Sequence, residues 1–312
     1  MKALVLGCGE MGQIAIKDLV KHGVFTEVVV GSRHPKQIEA FLATIPRLRT
    51  RMAAVEVDVR DTAALAARMK GFDVVCNMTG PNYANAVHVV EAAIAAGVPM
   101  ADVSDDWEAT LQILDLHSEA SKAGITVIVG LGASPGVTNI LARQGANTLD
   151  RTDEVHTAWV MRGSDLGGPA CCAHLLYSLP ERAFVFQEGK IQEVRAFVDG
   201  RETLDFLELG TVEVAHVGHP EPFTLSRYIS GCRYADDKAA FLPAMVGEMI
   251  VELGKIARSG FEASVAGKTI HSVDLASAYL YQTSKRMSDV PQTGALRTEV
   301  RGELEGKRTR IV

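Results

Sequence analysis

Three glycines near the amino terminus have the spacing of a phosphate-binding turn. Residues 7–12 follow the pattern G-x-G-x-x-G, after a short apolar run and before an amphipathic one. Strand, turn and helix thus come in the order that a dinucleotide-binding unit requires. The first glycine permits the turn, the second lets a pyrophosphate approach the backbone, and the third allows the helix to pack closely on the strand. The predicted pyrophosphate-binding residues are Gly7, Gly9, Glu10, Met11 and Gly12.

The residues that follow the second apolar run predict which dinucleotide binds. That run ends in Gly31, Ser32, Arg33 and His34. NAD-binding sites usually place an Asp or Glu here to bond the ribose hydroxyls, and this sequence has no acidic residue at the position. Ser32 can donate a hydrogen bond to a phosphate oxygen, while Arg33 can pair with the same phosphate and stack on adenine. The sequence therefore predicts that Ser32, Arg33 and His34 bind NADP(H) rather than NAD(H).

The elements that position these residues alternate between strand and helix over residues 1–133. Apolar runs predict strands at residues 1–7, 27–30, 54–57, 73–77, 99–102 and 125–129. Amphipathic runs predict helices at residues 13–20, 36–44, 62–70, 85–96 and 107–123, with Asp61 as the N-cap of the third. This alternation is typical of a Rossmann domain, an α/β fold with a doubly wound parallel sheet.

Two further segments follow strand ends of this sheet. The ends of the first and fourth strands meet where the strand order reverses, and ligands bind there. We expect the two residues after the third strand to flank adenine, and the four after the fourth strand to lie beside the nicotinamide ribose. These cofactor-binding residues are Asp58 and Val59, and Met78, Thr79, Gly80 and Pro81.

The pattern changes after a helix predicted at residues 137–147. Strands are predicted at residues 155–160, 183–186, 191–197, 211–215 and 225–229, with a helix at 240–257 and a hairpin at 294–312. This half reads as an α+β domain with a mixed sheet, suited to substrate binding and oligomerisation. We therefore predict an NADP-binding domain over residues 1–133, and a second domain over residues 134–312 whose sheet forms a homodimer.

Composition narrows the class of protein. The chain has 312 residues, 47% of them hydrophobic, and a formal net charge of −6, which argues against a nucleic-acid surface. Its longest uncharged run is broken by glycine and proline, so we expect no membrane span. Five irregularly spaced cysteines fit a reduced cytoplasmic protein better than a disulfide framework.

Three segments together resemble the saccharopine dehydrogenase family. The first is the nucleotide-binding segment with Ser32 and Arg33, and the second is Asp102–Asp106 with the helix and strand that follow. The third and most specific, residues 132–142, is similar to the family's link between its two domains. The overall pattern is similar to the short lysine 6-dehydrogenase-like branch and to saccharopine and carboxynorspermidine dehydrogenases.

The resemblance implies an NADP(H)-dependent oxidoreductase of amino-acid metabolism, which moves a hydride between the nicotinamide and a carbon that bears an amine. Two features depart from the family. NAD-using lysine dehydrogenases tend to carry an acidic residue where Arg33 stands, and members usually continue beyond the final hairpin, so the second domain is expected to be truncated or reduced at Val312. The alternatives are a catalytically silent NADP(H)-binding sensor or scaffold, and a carbonyl reductase.

An amino-acid-like substrate requires a cation for its carboxylate and an anion for its ammonium group. We assign Arg227 to the first role and Asp105, which follows the fifth strand, to the second. The alternative for Arg227 is a solvated strand residue, and for Asp105 it is an N-cap of the next helix. Asn139 is a third candidate for substrate binding, with bracing of the interdomain link as its alternative.

Proton transfer at the amine requires a group that titrates near neutrality, and histidine is the usual choice. His174 is the preferred catalytic residue among the nine histidines because it follows a glycine-rich loop, and its alternative is a buried or surface histidine with no catalytic role. Tyr177 is the second candidate, and His219 lies in a turn that we expect to be exposed.

Two groups of residues offer metal-ligand types. Cys171 and Cys172 lie near His174, and His216 lies three residues before His219. Neither group has the spacing of a zinc knuckle or of a helical HExxH site. The sequence therefore predicts no bound metal.

Overall fold

The chain divides into two compact units. A computed structural model describes residues 1–46, 49–287 and 293–312. The first unit comprises Met1–Ser104 and Glu108–Leu131, and the second comprises Asp105–Trp107 and Gly132–Val312. The short segment Asp105–Trp107 thus packs with residues that follow it much later in the chain. Within the described ranges, we find no helix with the length and apolar character needed to cross a membrane.

The first unit is a parallel sheet with helices between successive strands. Its strands are β1 (Lys2–Leu6), β2 (Glu27–Ser32), β3 (Arg51–Glu56), β4 (Val74–Asn77), β5 (Met100–Asp102) and β6 (Val127–Ile128). Its helices are α1 (Glu10–Lys21), α2 (Pro35–Leu42), α3 (Thr62–Met69), α4 (Asn82–Ala96), α5 (Trp107–Asp115) and α6 (His117–Lys122). The strand order β3-β2-β1-β4-β5-β6 confirms the predicted Rossmann fold.

Strand β1 lies at the centre of this sheet and is buried on both faces. Leu4 and Leu6 pack in one hydrophobic core, while Ala3 and Val5 pack in the core on the opposite face. A parallel strand covered on both faces is expected to be continuously apolar rather than alternating. The N-cap at Asp61 is also confirmed, because its Oδ1 accepts a hydrogen bond from the Ala64 amide at 3.0 Å.

The second unit is a mixed sheet with helices. Its strands are β7 (Arg151–Arg162), β8 (Arg182–Gln187), β9 (Lys190–Arg195), β10 (Glu202–Asp205), β11 (Thr211–His216), β12 (Tyr234–Leu242), β13 (Glu262–Val265), β14 (Lys268–His271), β15 (Ala295–Leu304) and β16 (Lys307–Ile311). Its helices are α7 (Val137–Asn147), α8 (Pro169–Ser178), α9 (Glu221–Tyr228), α10 (Met245–Arg258) and α11 (Ser272–Arg286). The main sheet has the order β10-β11-β12-β7-β15-β16, with β8 also paired to β12 and β9 to β8. Only the β12–β7 pair among these described strands is parallel, so the predicted mixed sheet is confirmed.

Two sequence predictions in the second unit were wrong. Residues 225–228 of the strand predicted at 225–229 belong to helix α9, and Ile229 is its C-cap; Leu225 and Ile229, four residues apart, are both buried. The predicted helix at residues 240–257 begins only at Met245, because its first residues belong to β12 and Pro243 separates the two elements. Smaller differences occur in the first unit, where the helix predicted at 107–123 is divided at Leu116 into α5 and α6.

Strand β12 was not predicted at all, although it is the central partner of three other strands. Its middle reads Asp236, Asp237 and Lys238, and all three residues are buried. Charged residues are rarely buried in central strands unless they are paired. Because side chains alternate along a strand, Asp237 shares a face with Phe241 and the core around α8, α10 and α11, while Asp236 and Lys238 lie on the other face.

Asp236 contacts three basic side chains on its own face of the sheet. Its Oδ1 lies 2.8 Å from Nδ1 of His156, and its Oδ2 lies 3.0 Å from Nε2 of His216 and 3.2 Å from Nζ of Lys238. Burial alone would raise the pKa of Asp236, but its hydrogen bonds to the two histidines and the charge of Lys238 hold that pKa well below the usual range. The carboxylate is therefore ionised and stabilises the sheet.

We predict that Asp236→Asn destabilises the second unit. The amide removes the shared counter-ion from half-buried His156 and from buried His216 and Lys238, and breaking a buried ion pair in this way typically costs about 3–5 kcal/mol. Both tryptophans, Trp107 and Trp159, belong to this unit, so urea unfolding followed by tryptophan fluorescence reports on it selectively.

The effect should depend on pH in a defined direction. A carboxyl group with a lowered pKa in the folded state stabilises the protein above its unfolded pKa of about 4, and this stability is lost as the pH falls through the folded value. The gap between wild type and Asp236→Asn should therefore narrow below about pH 4. Glu213→Gln, which breaks an exposed pair with Arg201, is the matched control and should cost less than about 1 kcal/mol. Equal effects of the two substitutions would contradict the role of Asp236.

Candidate functional site

The glycine turn of the first unit has a different spatial constraint at each glycine. Gly7 has φ +93°, and a Cβ there would lie 2.7 Å from the carbonyl oxygen of Met78. A Cβ on Gly12 would lie 2.4 Å from the carbonyl oxygen of Gly7, so helix α1 packs directly on the turn. A Cβ on Gly9 would meet no atom within 4 Å among the described residues. The turn is therefore closed at Gly7 and Gly12 and open at Gly9, as a backbone that receives a pyrophosphate must be.

Helix α1 begins directly at this open position. Gly9 is its N-cap and has no side chain that could satisfy the amide groups of the first turn. Glu10 and Met11 follow as its first two residues, and both are exposed. The amides and the partial positive charge of a helix N-terminus are a suitable binding site for phosphate.

The carboxyl end of β2 carries the residues predicted to select the cofactor. Arg33 and His34 are exposed, and the Ser32 hydroxyl accepts a hydrogen bond from the His34 amide at 3.2 Å. Asp58, after β3, forms an ion pair of 2.9 Å with Arg60. Hydrogen bonds from Arg60, and the charges of Arg60 and Arg33, lower the pKa of Asp58 to about 2. Arg60, which sequence reasoning missed, thus offsets the negative charge of Asp58 beside Arg33.

A buried polar network fixes the loop after β4. The Asn77 amide donates to Oδ2 of Asp102 at 2.8 Å, and Asn77 Oδ1 accepts from both the amide and the hydroxyl of Thr79. Asp102 Oδ1 in turn accepts from the Ser104 amide at 2.6 Å. This network joins the ends of β4 and β5, and Met78 and Thr79 lie beside Gly7 at the point where the strand order reverses.

The second unit contains a cluster of histidines and carboxylates, which we call the acidic cluster. Five separate elements supply its members: the segment Asp105–Trp107, helix α8, the turn before α9, the start of α9, and strand β12. Of the described residues, the cluster comprises Asp105, Asp106, His174, Ser178, His219, Glu221 and Asp237. These positions are far apart in the chain, so only the folded second unit brings them together.

His174 lies between two consecutive aspartates. Its Nδ1 is 2.8 Å from Oδ1 of Asp106, and its Nε2 is 3.3 Å from Oδ2 of Asp105. Ser178, one helical turn later on α8, donates its hydroxyl to the same Asp106 oxygen. Burial lowers the pKa of His174, but the charges of Asp105 and Asp106 outweigh this and raise it.

His219 lies between two other buried carboxyl groups. Its Nδ1 is 2.7 Å from Oε2 of Glu221 and 3.4 Å from Oδ2 of Asp237. Burial lowers the pKa of His219, but these two groups and Asp105 raise it to about 10. Burial and the neighbouring Glu221 raise the pKa of Asp237 well above its usual value, although the Thr157 hydroxyl and Trp159 Nε1 donate hydrogen bonds to it at 2.7 and 3.0 Å.

The predicted substrate residues lie in different places. Asp105 belongs to the acidic cluster and is partly exposed, so it is the member that a ligand can reach most easily. Asn139 braces the start of α7: its Oδ1 accepts from the Gly136 amide at 3.0 Å, and its amide donates to the Thr224 hydroxyl at 3.1 Å. Arg227 is exposed on α9 with its guanidinium 5.8 Å from the Tyr228 ring, rather than on the strand that the sequence predicted.

The two predicted catalytic residues share helix α8. His174 is almost completely buried in the acidic cluster, whereas 36% of the Tyr177 surface is exposed. The turn with His219 was expected to be exposed, but His219 is 2% exposed. Sequence reasoning missed Asp106, Glu221 and Asp237. The available signals were the prolines on both sides of Glu221, which fix its backbone, and the charged run inside β12.

The acidic cluster has more carboxyl groups than imidazoles. Among its described members, four carboxyl groups surround two imidazoles. Two sets could each offer three metal-ligand atoms within 4.8 Å of one another: Asp105, His174 and His219, and His219, Glu221 and Asp237. The cluster thus suits a cationic group, such as a protonated amine or a metal ion.

Comparison with known proteins identifies the first unit. Residues 3–128 match the family described as the saccharopine dehydrogenase NADP binding domain. The match spans β1 to β6 and includes the glycine turn and the segment after β2. The open phosphate cradle at Gly9 and the cations around Arg33 agree with this family's cofactor.

One solved structure extends the likeness in fold to the second unit. The apo, histidine-tagged saccharopine dehydrogenase (L-Glu forming) from Saccharomyces cerevisiae is 16% identical, with a TM-score of 0.65 over 99% of this chain and 83% of that one. GenD2 from gentamicin A biosynthesis, solved in complex with NAD, is 13% identical with a TM-score of 0.42 over 100% of this chain and 72% of that one. The yeast enzyme therefore shares the fold of the whole chain. Residues 3–128 therefore match the saccharopine dehydrogenase NADP-binding domain, the family that the sequence resembles.

Proposed function

We propose that the protein is an NADP(H)-dependent oxidoreductase that transfers a hydride at a C–N bond of an amino-acid-like amine or imine. The observation that carries the proposal is the joint presence of an NADP-binding domain and, in the second unit, a buried acidic cluster suited to an amine. The bound nicotinamide would supply the hydride chemistry. The protein would then have to hold the cofactor, bind the amine and handle its proton.

The first unit contributes cofactor binding and selectivity. The amides at Gly9 and the start of α1 would hold the pyrophosphate, and Ser32 and Arg33 would hold the 2′-phosphate of NADP(H). Asp58 and Val59 would flank adenine, and residues 78–81 would lie beside the nicotinamide ribose. The Asn77–Asp102 hydrogen bond supports this placement because it fixes the loop in one conformation.

The second unit contributes the polar groups for the amine. Asp105 is partly exposed and would pair with the substrate ammonium group, while His174 beside it would exchange the proton of the reacting nitrogen. Tyr177 remains the alternative proton carrier. Arg227 would pair with the substrate carboxylate, and its exposed position on α9 leaves its guanidinium accessible.

We also propose that the sheet of this unit forms a homodimer.

Cofactor titration tests the proposed selectivity. We expect tight NADPH binding and weak NADH binding, measured by nicotinamide fluorescence. Arg33→Ala should weaken NADPH binding by about 10- to 100-fold, since a hydrogen bond to a charged group contributes about 1.5–3 kcal/mol, and should leave NADH binding unchanged.

Arg68→Ala is the matched control, because it removes the same charge from the last turn of α3. That turn lies at the amino ends of the strands, away from the carboxyl ends, where the cofactor binds. Equal binding of NADPH and NADH, or equal losses in the two variants, would contradict the assigned role of Arg33.

Substrate turnover tests the reaction. Purified protein with NADPH should reduce at least one combination in a panel of 2-oxo acids and amines, followed by NADPH absorbance. His174→Ala should lower this turnover by about 100-fold or more, the usual contribution of a positioned acid or base. NADPH affinity should be unchanged because His174 lies in the other unit.

Tyr177→Phe serves as the comparison on the same helix and should retain most of the turnover. If Tyr177→Phe rather than His174→Ala abolishes activity, Tyr177 is the proton carrier. An intact NADPH site without turnover of any pair in the panel would count against the C–N reaction.

A further inference from the structure

The acidic cluster contains a possible set of metal ligands that includes Asp105 and His174, the two residues to which the proposed reaction also gives roles. One side-chain atom from each of Asp105, His174 and His219 lies within 4.8 Å of the other two. We propose that these three residues form a binding site for a divalent transition metal ion, with Zn²⁺ as the ion that fits best. The assignment goes beyond the proposed function and rests on the geometry of the second unit alone.

The orientation of the two imidazoles is the first argument. Nδ1 of His174 is 2.8 Å from a buried oxygen of Asp106, and Nδ1 of His219 is 2.7 Å from an oxygen of buried Glu221. Histidines that bind metals almost always donate their second ring nitrogen to a carboxylate or carbonyl in this way. With Nδ1 held on each ring, Nε2 is the nitrogen that each ring offers to an ion.

The spacing of the ligands is the second argument. Zn²⁺ binds histidine nitrogen and carboxylate oxygen at about 2.0–2.2 Å in a tetrahedral arrangement, so two neighbouring ligand atoms lie about 3.4 Å apart. Nε2 of His174 and Oδ2 of Asp105 are 3.3 Å apart. These two atoms therefore already have the separation of one tetrahedral edge.

Access and charge complete the argument. The His174 and His219 side chains are 5% and 3% exposed, whereas 27% of the Asp105 side chain is exposed. Two buried imidazoles and one accessible carboxylate give three protein ligands and leave a fourth position open, as in catalytic zinc sites. A divalent ion would also offset the excess of carboxylates around it.

The overlapping set of His219, Glu221 and Asp237 is a poorer metal site. The Asp237 oxygens accept hydrogen bonds from Thr157 and Trp159, and the Ser134 hydroxyl donates to Glu221. These oxygens are already engaged by donors from the protein. Glu221 and Asp237 therefore orient His219 instead of binding the ion themselves.

The metal assignment gives His174 a different role from proton transfer. As a metal ligand it would present a neutral imidazole, and the ion would polarise the substrate group at the fourth position. The two roles exclude each other in the same molecule at the same time. Metal binding and cofactor binding must therefore be measured independently.

The test is titration of chelator-treated, metal-free protein with ZnCl₂ by calorimetry, and with CoCl₂ by visible absorption. We expect one Zn²⁺ per chain and Co²⁺ bands typical of nitrogen and oxygen ligands. His174→Ala and Asp105→Asn should each weaken Zn²⁺ binding by at least about 100-fold, since loss of a supporting group alone costs about 10- to 100-fold.

His156→Ala is the matched control, because His156 also lies between two carboxylates but outside the proposed ligand set. It should bind Zn²⁺ as the wild type does. Asp105→Asn changes a partly exposed side chain without altering its size, so it keeps the test decisive if His174→Ala fails to fold.

Three results would overturn the metal site: no binding by the wild type, binding unchanged in Asp105→Asn and His174→Ala, or a Co²⁺ spectrum with thiolate charge-transfer bands. The last would place the ion on cysteines.

NADPH titration of the same samples separates the two proposals, because intact NADPH binding without metal binding would remove the metal site and leave the oxidoreductase function standing.

Discussion

The stability of the second unit depends on the partners of the charged residues that are buried in its strand β12. Asp236, Asp237 and Lys238 are consecutive in β12 and are all buried, and a buried charge without a partner costs several kcal/mol. Alternation along the strand sends Asp236 and Asp237 to opposite faces. Asp236 is paired there with two histidines and Lys238, whereas Asp237 lies beside His219 and Glu221. One face thus stabilises the sheet, and the other carries the candidate site.

Pairing of a buried carboxyl group with a basic side chain also occurs in the acidic cluster. A buried carboxylate holds Nδ1 of each histidine, Asp106 for His174 and Glu221 for His219. Such a bond fixes both the tautomer and the ring orientation, so the second nitrogen points in a defined direction. The carboxyl groups of the cluster therefore surround two oriented imidazoles. Oriented imidazoles beside carboxyl groups occur both in proton relays and in metal sites.

The sequence predicted the first unit far better than the second for a physical reason. The glycine turn, the segment after β2 and the apolar run of β1 are each encoded by adjacent residues, so local pattern was sufficient. The acidic cluster joins Asp105, His174, His219 and Asp237, which only tertiary packing brings together. Local sequence patterns indicated Asp105 and His174 as separate candidates and placed His219 in an exposed turn. They missed Asp237 because a run of charged residues does not resemble a strand.

The two units carry different parts of the proposed function. The proposed cofactor recognition depends on backbone amides at the start of α1 and on the exposed Arg33, which follow each other closely in the sequence. The reaction depends on what occupies the space beside Asp105, and the same carboxylates favour a protonated amine or a divalent ion. The protonation of His174 and His219 decides between them, since an imidazole that has bound a proton on both nitrogens cannot bind a metal. The two proposals for the second unit therefore differ in what binds to the two imidazoles, a proton or a metal ion, and the fold that the unit shares with the yeast enzyme does not decide between them.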